Sequence, residues 1–112
     1  MSYILEIAAR AMYRFRKPVR DSKYRSFLRR FPCVVCQSTR WIEAAHFGPH
    51  GIGQKASDLD GLPLCAHCHR VSPKSYHRLG AREFIRVHNL DVEGLIQMFN
   101  GWYAEQQGKR AA

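Results

Sequence analysis

Hydrophobic positions recur at helical spacing in the first third of the chain. Over residues 3–16 they fall three and four apart, which predicts an amphipathic helix that stops before Pro18. A capping signal at Asp21 predicts a second helix over residues 22–31, which Pro32 terminates. The apolar side of this second helix is predicted to carry four residues, namely Tyr24, Phe27, Leu28 and Phe31.

Short apolar runs replace the helical spacing in the middle of the chain. Residues 41–47 and 61–64 predict two short strands. Between them lies a glycine-rich stretch over residues 48–55, whose glycines do not match the phosphate-binding pattern GxxxxGK[ST]. After Cys68 we expect a helix to start and to be interrupted at Pro73.

Helical spacing returns in the last third of the chain. Residues 81–88 predict a helix that ends at Asn89, and Asp91 is the predicted N-cap of a final helix over residues 92–107. Residues 107–112 are expected to fray. The final helix has one apolar face, which we interpret as core packing by Val92, Leu95, Ile96, Phe99, Trp102 and Tyr103.

Length and composition indicate one folded domain with a modest core. The chain has 112 residues, of which 46% are hydrophobic. No stretch approaches the ~20 apolar residues of a membrane-spanning helix. No basic segment precedes an apolar run at the N-terminus, as a secretory signal requires. We therefore expect a cytoplasmic protein and exclude membrane proteins, secreted scaffolds and large multi-domain enzymes.

The positive charge is concentrated near the N-terminus. The formal net charge is +9, and residues 1–40 alone contain ten basic and two acidic residues. Clustered arginines favour a polyanionic partner such as nucleic acid, because phosphate contacts release counterions. A solvated basic surface is the alternative interpretation. A membrane surface is disfavoured, because no strongly apolar helix face accompanies the densest arginine run.

The four cysteines form two CxxC pairs separated by 28 residues. A tight turn lets two thiolates three positions apart bind one ion, and a second pair can then complete a tetrahedron. This spacing predicts a structural Zn²⁺ site with four thiolate ligands, which leaves no open coordination position for catalysis. Two disulfides are the alternative, which a chain without a secretory signal disfavours. The predicted ligands are Cys33, Cys36, Cys65 and Cys68.

The six histidines include three at informative positions. His46 closes the first predicted strand, His69 follows the second cysteine pair, and His77 lies eight residues later. Together with the segments AAHF (44–47) and DGLPLCAHCH (60–69), this arrangement resembles the HNH, or ββα-metal, nuclease family. The resemblance covers about residues 33–77. The region from Asp21 to the last helix also resembles small phage- and prophage-encoded proteins of HNH type.

The resemblance implies a role for each matching residue. His46 falls at the position of the general base, and Asp60 at the position that orients the base, which is usually Asn. His69 and His77 fall at the positions that bind a catalytic divalent cation, either Mg²⁺, Mn²⁺ or another ion, separate from the Zn²⁺. In such chemistry the base activates water, and the cation stabilises the charge on the phosphate. The products in this family carry a 5′-phosphate and a 3′-hydroxyl.

This chain departs from the family pattern in two ways that lead to structural predictions. Many members have a further metal ligand where this chain has Ala45. Eight residues of straight helix span ~12 Å, so His69 and His77 can share an ion only if the chain folds back near Pro73. The missing ligand can come from water or from one of four side chains, namely His50, Glu43, Asp58 or His46 itself.

Each histidine also has a structural interpretation. His46 can be an ordinary half-buried side chain at a strand end. His69 can cap the turn of the second cysteine pair, and His77 can be a surface residue. We expect His67 to lie at the surface and His88 to be structural.

These patterns predict an α+β fold with a small zinc-stabilised treble-clef or ββα-metal core. A short hairpin and a helix form the core, and helices flank it at both ends. The single domain, residues 1–112, divides into a basic helical segment (1–32), the core (33–77) and C-terminal helices (78–107).

The leading hypothesis is a metal-dependent endonuclease that acts on DNA in a bacterial or phage-infected cell. The main alternative is a non-catalytic zinc-binding module for DNA or RNA from a phage or mobile element. A third is a protein-interaction domain that uses the apolar C-terminal helix. The sequence does not indicate the oligomeric state. Phosphate contacts are predicted at Arg25, Arg29, Arg30, Lys55 and Arg70.

Overall fold

The computed structural model describes residues 18–48 and 56–111, and for the last two of these only the backbone. Within these ranges the chain has an α+β fold with four α-helices and one two-stranded antiparallel sheet. The predicted α+β class is confirmed at this level. The helix predicted over residues 3–16 lies outside the described residues, as does the glycine-rich stretch beyond Gly48.

The first described helix, α1 (Ser22–Leu28), is shorter than predicted. The Asp21 carboxylate accepts a hydrogen bond from the Tyr24 N–H at 3.0 Å, which caps the helix as the sequence indicated. After Leu28 the backbone tightens into turns. A helix cannot extend to Pro32, because the residue before a proline is disfavoured in the helical conformation. The buried side of α1 consists of Tyr24, Phe27 and Leu28, as predicted.

Both predicted strands are present, as β1 (Ile42–His46) and β2 (Gly61–Cys65). They pair antiparallel in a register that places Ala45 opposite Leu62 and His46 opposite Gly61. Every residue of β2 is buried, so this strand passes through the centre of the described structure.

The alternation of side chains along β1 separates two surroundings. Because successive side chains of a strand point to opposite faces, Glu43 and Ala45 lie on one face and Ala44 and His46 on the other. Ala45 packs in the hydrophobic cluster that contains the cysteines. Ala44 packs against the cluster around α1. The strand therefore directs Glu43 and His46 towards different parts of the fold.

A π-helix, His67–Val71, follows β2 almost directly. It ends at Ser72, immediately before Pro73, so the predicted interruption is confirmed, but the helix begins at His67 and not after Cys68. A short helix, α2 (Tyr76–Leu79), comes next.

The last two helices follow the sequence pattern closely. Helix α3 (Ala81–His88) has the predicted bounds and ends at Asn89, whose φ of 51° lies in the left-handed region. Helix α4 (Val92–Ala111) begins after Asp91, whose carboxylate accepts a hydrogen bond from the Gly94 N–H at 3.1 Å. It continues past residue 107, where fraying was predicted. Neither α4 nor another helix in the described ranges is long and apolar enough to cross a membrane.

Two hydrophobic clusters form the core. One surrounds the cysteines and includes Phe84. The other lies between α1 and α4 and includes Tyr24 and Phe99. The apolar stripe of α4 is core packing as predicted, except that Trp102 is 42% exposed and stacks on Phe31. The two clusters hold β2 between them and fix the positions of the polar groups described next.

Candidate functional site

The four cysteines converge from two distant parts of the chain. Their sulfur atoms all lie within 4.8 Å of one another, and only Cys36 is exposed. All four are free thiols, and the Sγ atoms of Cys36 and Cys65 are 3.6 Å apart, far beyond the ~2.05 Å of a disulfide. The disulfide alternative therefore does not apply. The four thiols can hold one metal ion, as the CxxC spacing predicted.

Backbone N–H groups donate hydrogen bonds to two of the sulfur atoms and so stabilise negative charge on them. The Val35 N–H donates to Cys33 Sγ and the Cys68 N–H donates to Cys65 Sγ, both at 3.4 Å. Burial acts to raise the pKa of Cys33, but backbone hydrogen bonds outweigh it and lower the pKa. Burial and the neighbouring thiols raise the pKa of Cys68 well above its usual range. Four adjacent thiolates in this setting need a cation to balance their charge.

His46 is paired with a buried carboxylate. Its Nε2 atom lies 2.7 Å from Asp58 Oδ1, and the Asp58 side chain is only 1% exposed. The family resemblance implied that Asp60 orients the base, whereas the hydrogen-bond partner of His46 is Asp58. The reason is the 3₁₀ turn Asp58–Asp60, which the Asp58 N–H anchors by donating to the Val19 carbonyl at 2.9 Å.

Asp58 is the centre of a network that ties α1 to the end of β1. Its Oδ2 accepts from the Asp21 N–H at 2.7 Å and from the Arg25 guanidinium. Arg20 lies 3.9 Å from Oδ1. Burial acts to raise the pKa of Asp58, but the hydrogen bonds from His46, Asp21 and Arg25 lower it more, so its pKa lies below the usual range. The carboxylate is therefore ionised at neutral pH.

The arginines of α1 divide into two kinds. Arg25, a predicted phosphate contact, has its guanidinium engaged with Asp58. Arg29 and Arg30 are exposed, and Arg30 borders a shallow cleft with Lys23 and Tyr103. Arg29 donates to Ser26 Oγ at 3.0 Å but, like Arg30, pairs with no described carboxylate, so both can contact a polyanion, whereas the Arg25 contact stabilises the fold.

Asp60 is buried, and its Oδ2 has no hydrogen-bond partner among the described residues. Burial raises its pKa to about 6. A Cβ atom on Gly48 would overlap this carboxylate, so glycine is required where the chain passes over Asp60. The family resemblance gave Asp60 the role of orienting the base, but the carboxylate hydrogen-bonded to the His46 ring belongs to Asp58.

His69 forms a second histidine–carboxylate pair. Its Nδ1 lies 2.8 Å from Glu43 Oε1, and Arg70 also donates to both Glu43 oxygens at 3.0–3.2 Å. The hydrogen bond from Arg70 lowers the pKa of Glu43. Burial lowers the pKa of His69, so the ring is neutral at pH 7. Donation from Nδ1 then leaves the Nε2 lone pair available to a metal.

His77 lies beside His69, as the resemblance required. The two ring centroids are 4.5 Å apart. The chain folds back after the π-helix, which brings together two residues that a straight helix would separate. Tyr76 packs between these rings and the end of β1, with its ring centroid 6.0 Å from that of His69. Its hydroxyl donates to the His46 carbonyl.

The three histidines do not form one metal site. Within residues 18–48 and 56–109, the only group of three or more His, Cys, Asp or Glu side chains close enough to share an ion is the cysteine cluster. His46 and Glu43 lie on opposite faces of β1, so the pairs that they form are separated. Ala45 is fully buried in the core. His50 and Lys55 lie outside the described residues.

Asp58 and Glu43 entered the sequence analysis only as substitutes for a missing metal ligand. Each instead holds a histidine. The His46–Asp58 pair spans 12 residues, and the His69–Glu43 pair spans 26. Contacts over such separations depend on how the elements pack, and no local spacing in the sequence signals them.

No family model, no curated protein and no solved structure matches this chain.

Proposed function

We propose that this chain is a metal-dependent endonuclease of the HNH type that hydrolyses DNA phosphodiester bonds. The proposed core is a treble clef in which the first cysteine pair, the β1–β2 hairpin and the π-helix surround a Zn²⁺ ion. The observation that carries the proposal is the hydrogen bond between His46 Nε2 and the buried Asp58 carboxylate. It supplies an oriented imidazole at the end of β1.

The His46–Asp58 pair suits a general base. A carboxylate on one ring nitrogen fixes the tautomer and leaves the other nitrogen, Nδ1, to take a proton from water. The His46 side chain is 22% exposed, so water can reach the ring. The ion pair with Arg25 keeps Asp58 charged and therefore able to stabilise a protonated His46.

The His69–His77 pair suits a catalytic metal ion. Glu43 orients His69 so that Nε2 can act as a ligand, which is the usual arrangement around histidine-bound metals. A divalent cation at this position would stabilise negative charge on the scissile phosphate. Tyr76 donates to the His46 carbonyl and its ring lies beside His69 and His77, so this one side chain connects the end of β1 that carries the proposed base with the proposed metal ligands.

The cysteine cluster suits zinc in particular. Four thiolates at ~2.3 Å from one ion are characteristic of structural Zn²⁺. A tetrahedral ion with these bond lengths separates its sulfur ligands by roughly 3.8 Å, close to the 3.6 Å between Cys36 and Cys65. Zinc bound by the four cysteines would stabilise a domain whose hydrophobic core is small.

A second candidate function is a zinc-binding module that binds DNA or RNA without cutting it. The separation of His46 from His69 and His77 favours this candidate, because a single-metal nuclease gathers its base and ligands around one ion. The net charge of +9 and the exposed Arg29 and Arg30 fit both candidates equally.

Nicking of supercoiled plasmid in Mg²⁺, in Mn²⁺ and without added metal tests the proposal. We expect nicking only with metal, and loss of nicking in His46→Ala with plasmid binding retained. His88→Ala is the matched control, because His88 is a histidine on α3 whose ring packs on Phe84 and bonds the Lys74 carbonyl, with no role in the proposed chemistry. Plasmid binding without nicking in any metal would instead establish the binding module.

A further inference from the structure

We propose that Trp41 stacks on an unpaired base, so that single-stranded or locally opened nucleic acid is the preferred substrate. This inference rests on the proposed nucleic-acid function and specifies its substrate class. It concerns a residue to which the sequence analysis assigned only a place at the start of a strand.

Trp41 is unusual among the aromatic residues of the described ranges. Its side chain is 80% exposed, the highest value among the exposed large hydrophobic residues. The nine other aromatic side chains in these ranges each pack against another ring, whereas Trp41 contacts none. Trp102, the other tryptophan, stacks on Phe31 although it is partly exposed. An isolated, exposed indole offers both of its faces to a ligand.

The backbone at Trp41 is held in a strained conformation. Its φ of 58° lies in the left-handed region, which bulky residues rarely adopt. Packing of the indole does not offset this strain, because the side chain is exposed. Backbone outliers that persist in this way cluster at ligand-binding positions. Here the outlier carries an exposed indole.

The loop that carries Trp41 is rigid. The Trp41 carbonyl accepts from the Ala66 N–H at 2.8 Å, and β1 begins at the next residue. On the other side, the Cys33 N–H donates to the Ser38 carbonyl at 2.9 Å, and the Arg40 N–H donates to Ser38 Oγ at 3.2 Å. A rigid aromatic platform binds a base with little loss of conformational freedom.

The charge around Trp41 complements a nucleic-acid backbone. Arg40 is exposed and forms no ion pair with the described acidic residues. The nearest acidic residue along the chain, Glu43, is already bonded to His69 and Arg70. Aromatic side chains beside positive charge are the usual platform for single-stranded nucleic acid, because every base presents a π-face.

Trp41 also lies close to the proposed metal ligands. Trp41 immediately precedes β1 and is two positions from Glu43, so their Cα atoms are at most about 7 Å apart. Glu43 in turn orients His69. A strand with one base on Trp41 can therefore place a neighbouring phosphate near the His69–His77 pair.

Fluorescence and affinity measurements test this inference in the full zinc-loaded chain. The chain contains two tryptophans, so Trp102→Phe isolates the emission of Trp41. We expect short oligothymidine to quench this emission and a blunt duplex of equal length to quench it much less. We expect Trp41→Gly to lower the affinity for oligothymidine about tenfold, and Trp41→Phe to retain most of it.

The variants separate loss of stacking from loss of structure. Glycine adopts a positive φ without strain, so Trp41→Gly should keep the zinc content and melting temperature of the parent. If Trp41→Gly binds oligothymidine as tightly as the wild type and still nicks plasmid, the stacking inference is wrong but the proposed nuclease activity is not contradicted. Absence of all nucleic-acid binding by the wild-type chain would overturn both.

Discussion

The Asp58 carboxylate links His46 to Arg25 through one buried group. Asp58 Oδ1 lies 2.7 Å from His46 Nε2, and Oδ2 accepts from the Arg25 guanidinium. The same side chain therefore fixes the proposed base at the end of β1 and joins α1 to the sheet. Asp58 therefore contributes both to the stability of the fold and to the proposed activity.

Asp58→Asn should destabilise the fold by about 2 kcal/mol, because it removes the charge of a buried carboxylate that bonds His46, Arg25 and the Asp21 N–H. Urea unfolding at pH 7 measures the change. Glu83→Gln is the matched control. Glu83 also pairs with an arginine, Arg86, but both are exposed, so this variant should lose much less stability than Asp58→Asn. Equal losses in the two variants would show that the Asp58 network contributes no more than a surface ion pair.

The contribution of Asp58 to the stability of the wild-type chain should decrease at low pH. The pKa of Asp58 is lowered in the folded state, so the unfolded chain binds the proton more readily. The stabilisation is complete above the unfolded pKa of ~3.9 and is lost as the pH falls through the folded value. The difference in unfolding free energy between wild type and Asp58→Asn should therefore shrink below pH ~4.

Asp60 should show the opposite pH dependence. Burial raises its pKa to about 6, so the folded state binds the proton more tightly than the unfolded chain. Stability contributed by this group is present below pH ~4 and is lost between pH ~4 and 6. The free energy of unfolding of Asp60→Asn, relative to that of the wild type, should thus rise by up to about 3 kcal/mol between pH ~4 and 6. Above pH ~6 the difference should stay constant. A difference that stays constant from pH 4 to pH 7 would contradict the raised pKa.

Gly48→Ala should cost about 2 kcal/mol, because the new methyl group overlaps the buried Asp60 carboxylate. Gly101→Ala is the control within α4. A Cβ at Gly101 meets nothing within 4 Å, and alanine favours a helix, so this variant should gain about 0.5–1 kcal/mol. Thermal melts of both variants give the comparison. Unchanged stability of Gly48→Ala would mean that the Asp60 pocket can rearrange.

Removal of the metal should unfold the part of the chain around the four cysteines. We expect one Zn²⁺ per chain by elemental analysis, and a fall in melting temperature of ~10 °C or more after chelation. Cys65→Ser should reproduce the loss, because it removes one of the four thiolates. A chain that keeps its melting temperature without metal would show that the hydrophobic clusters suffice on their own.

Glu43→Gln tests the proposed catalytic metal site. Loss of the carboxylate that orients His69 should raise the Mn²⁺ concentration for half-maximal nicking about 10- to 100-fold, with little change in zinc content. Glu83→Gln again provides a control. Unchanged Mn²⁺ dependence would remove Glu43 and His69 from the proposed metal site.

Local patterns predicted most elements of this fold. The caps at Asp21 and Asp91, the strands around residues 42–46 and 61–65, and the break at Pro73 all arise from neighbouring residues. Cysteine spacing identified the cluster of four thiols for the same reason, because each CxxC turn is local and only two such pairs exist.

The polar partners of the histidines were less predictable. Asp58 and Asp60 are two residues apart, and the sequence offers no means of deciding which one reaches His46. The 3₁₀ turn and its attachment to Val19 make that choice through long-range packing. The exposure of Trp41 was also hidden, since an aromatic residue at a strand start usually packs into a core.

The rate of plasmid nicking by wild type and His46→Ala at saturating Mn²⁺ tests the central claim most directly. If His46 is the base held by Asp58, its removal should slow cleavage about 10²- to 10⁴-fold while DNA affinity and zinc content stay constant. Equal rates in the two proteins would contradict a catalytic role for His46.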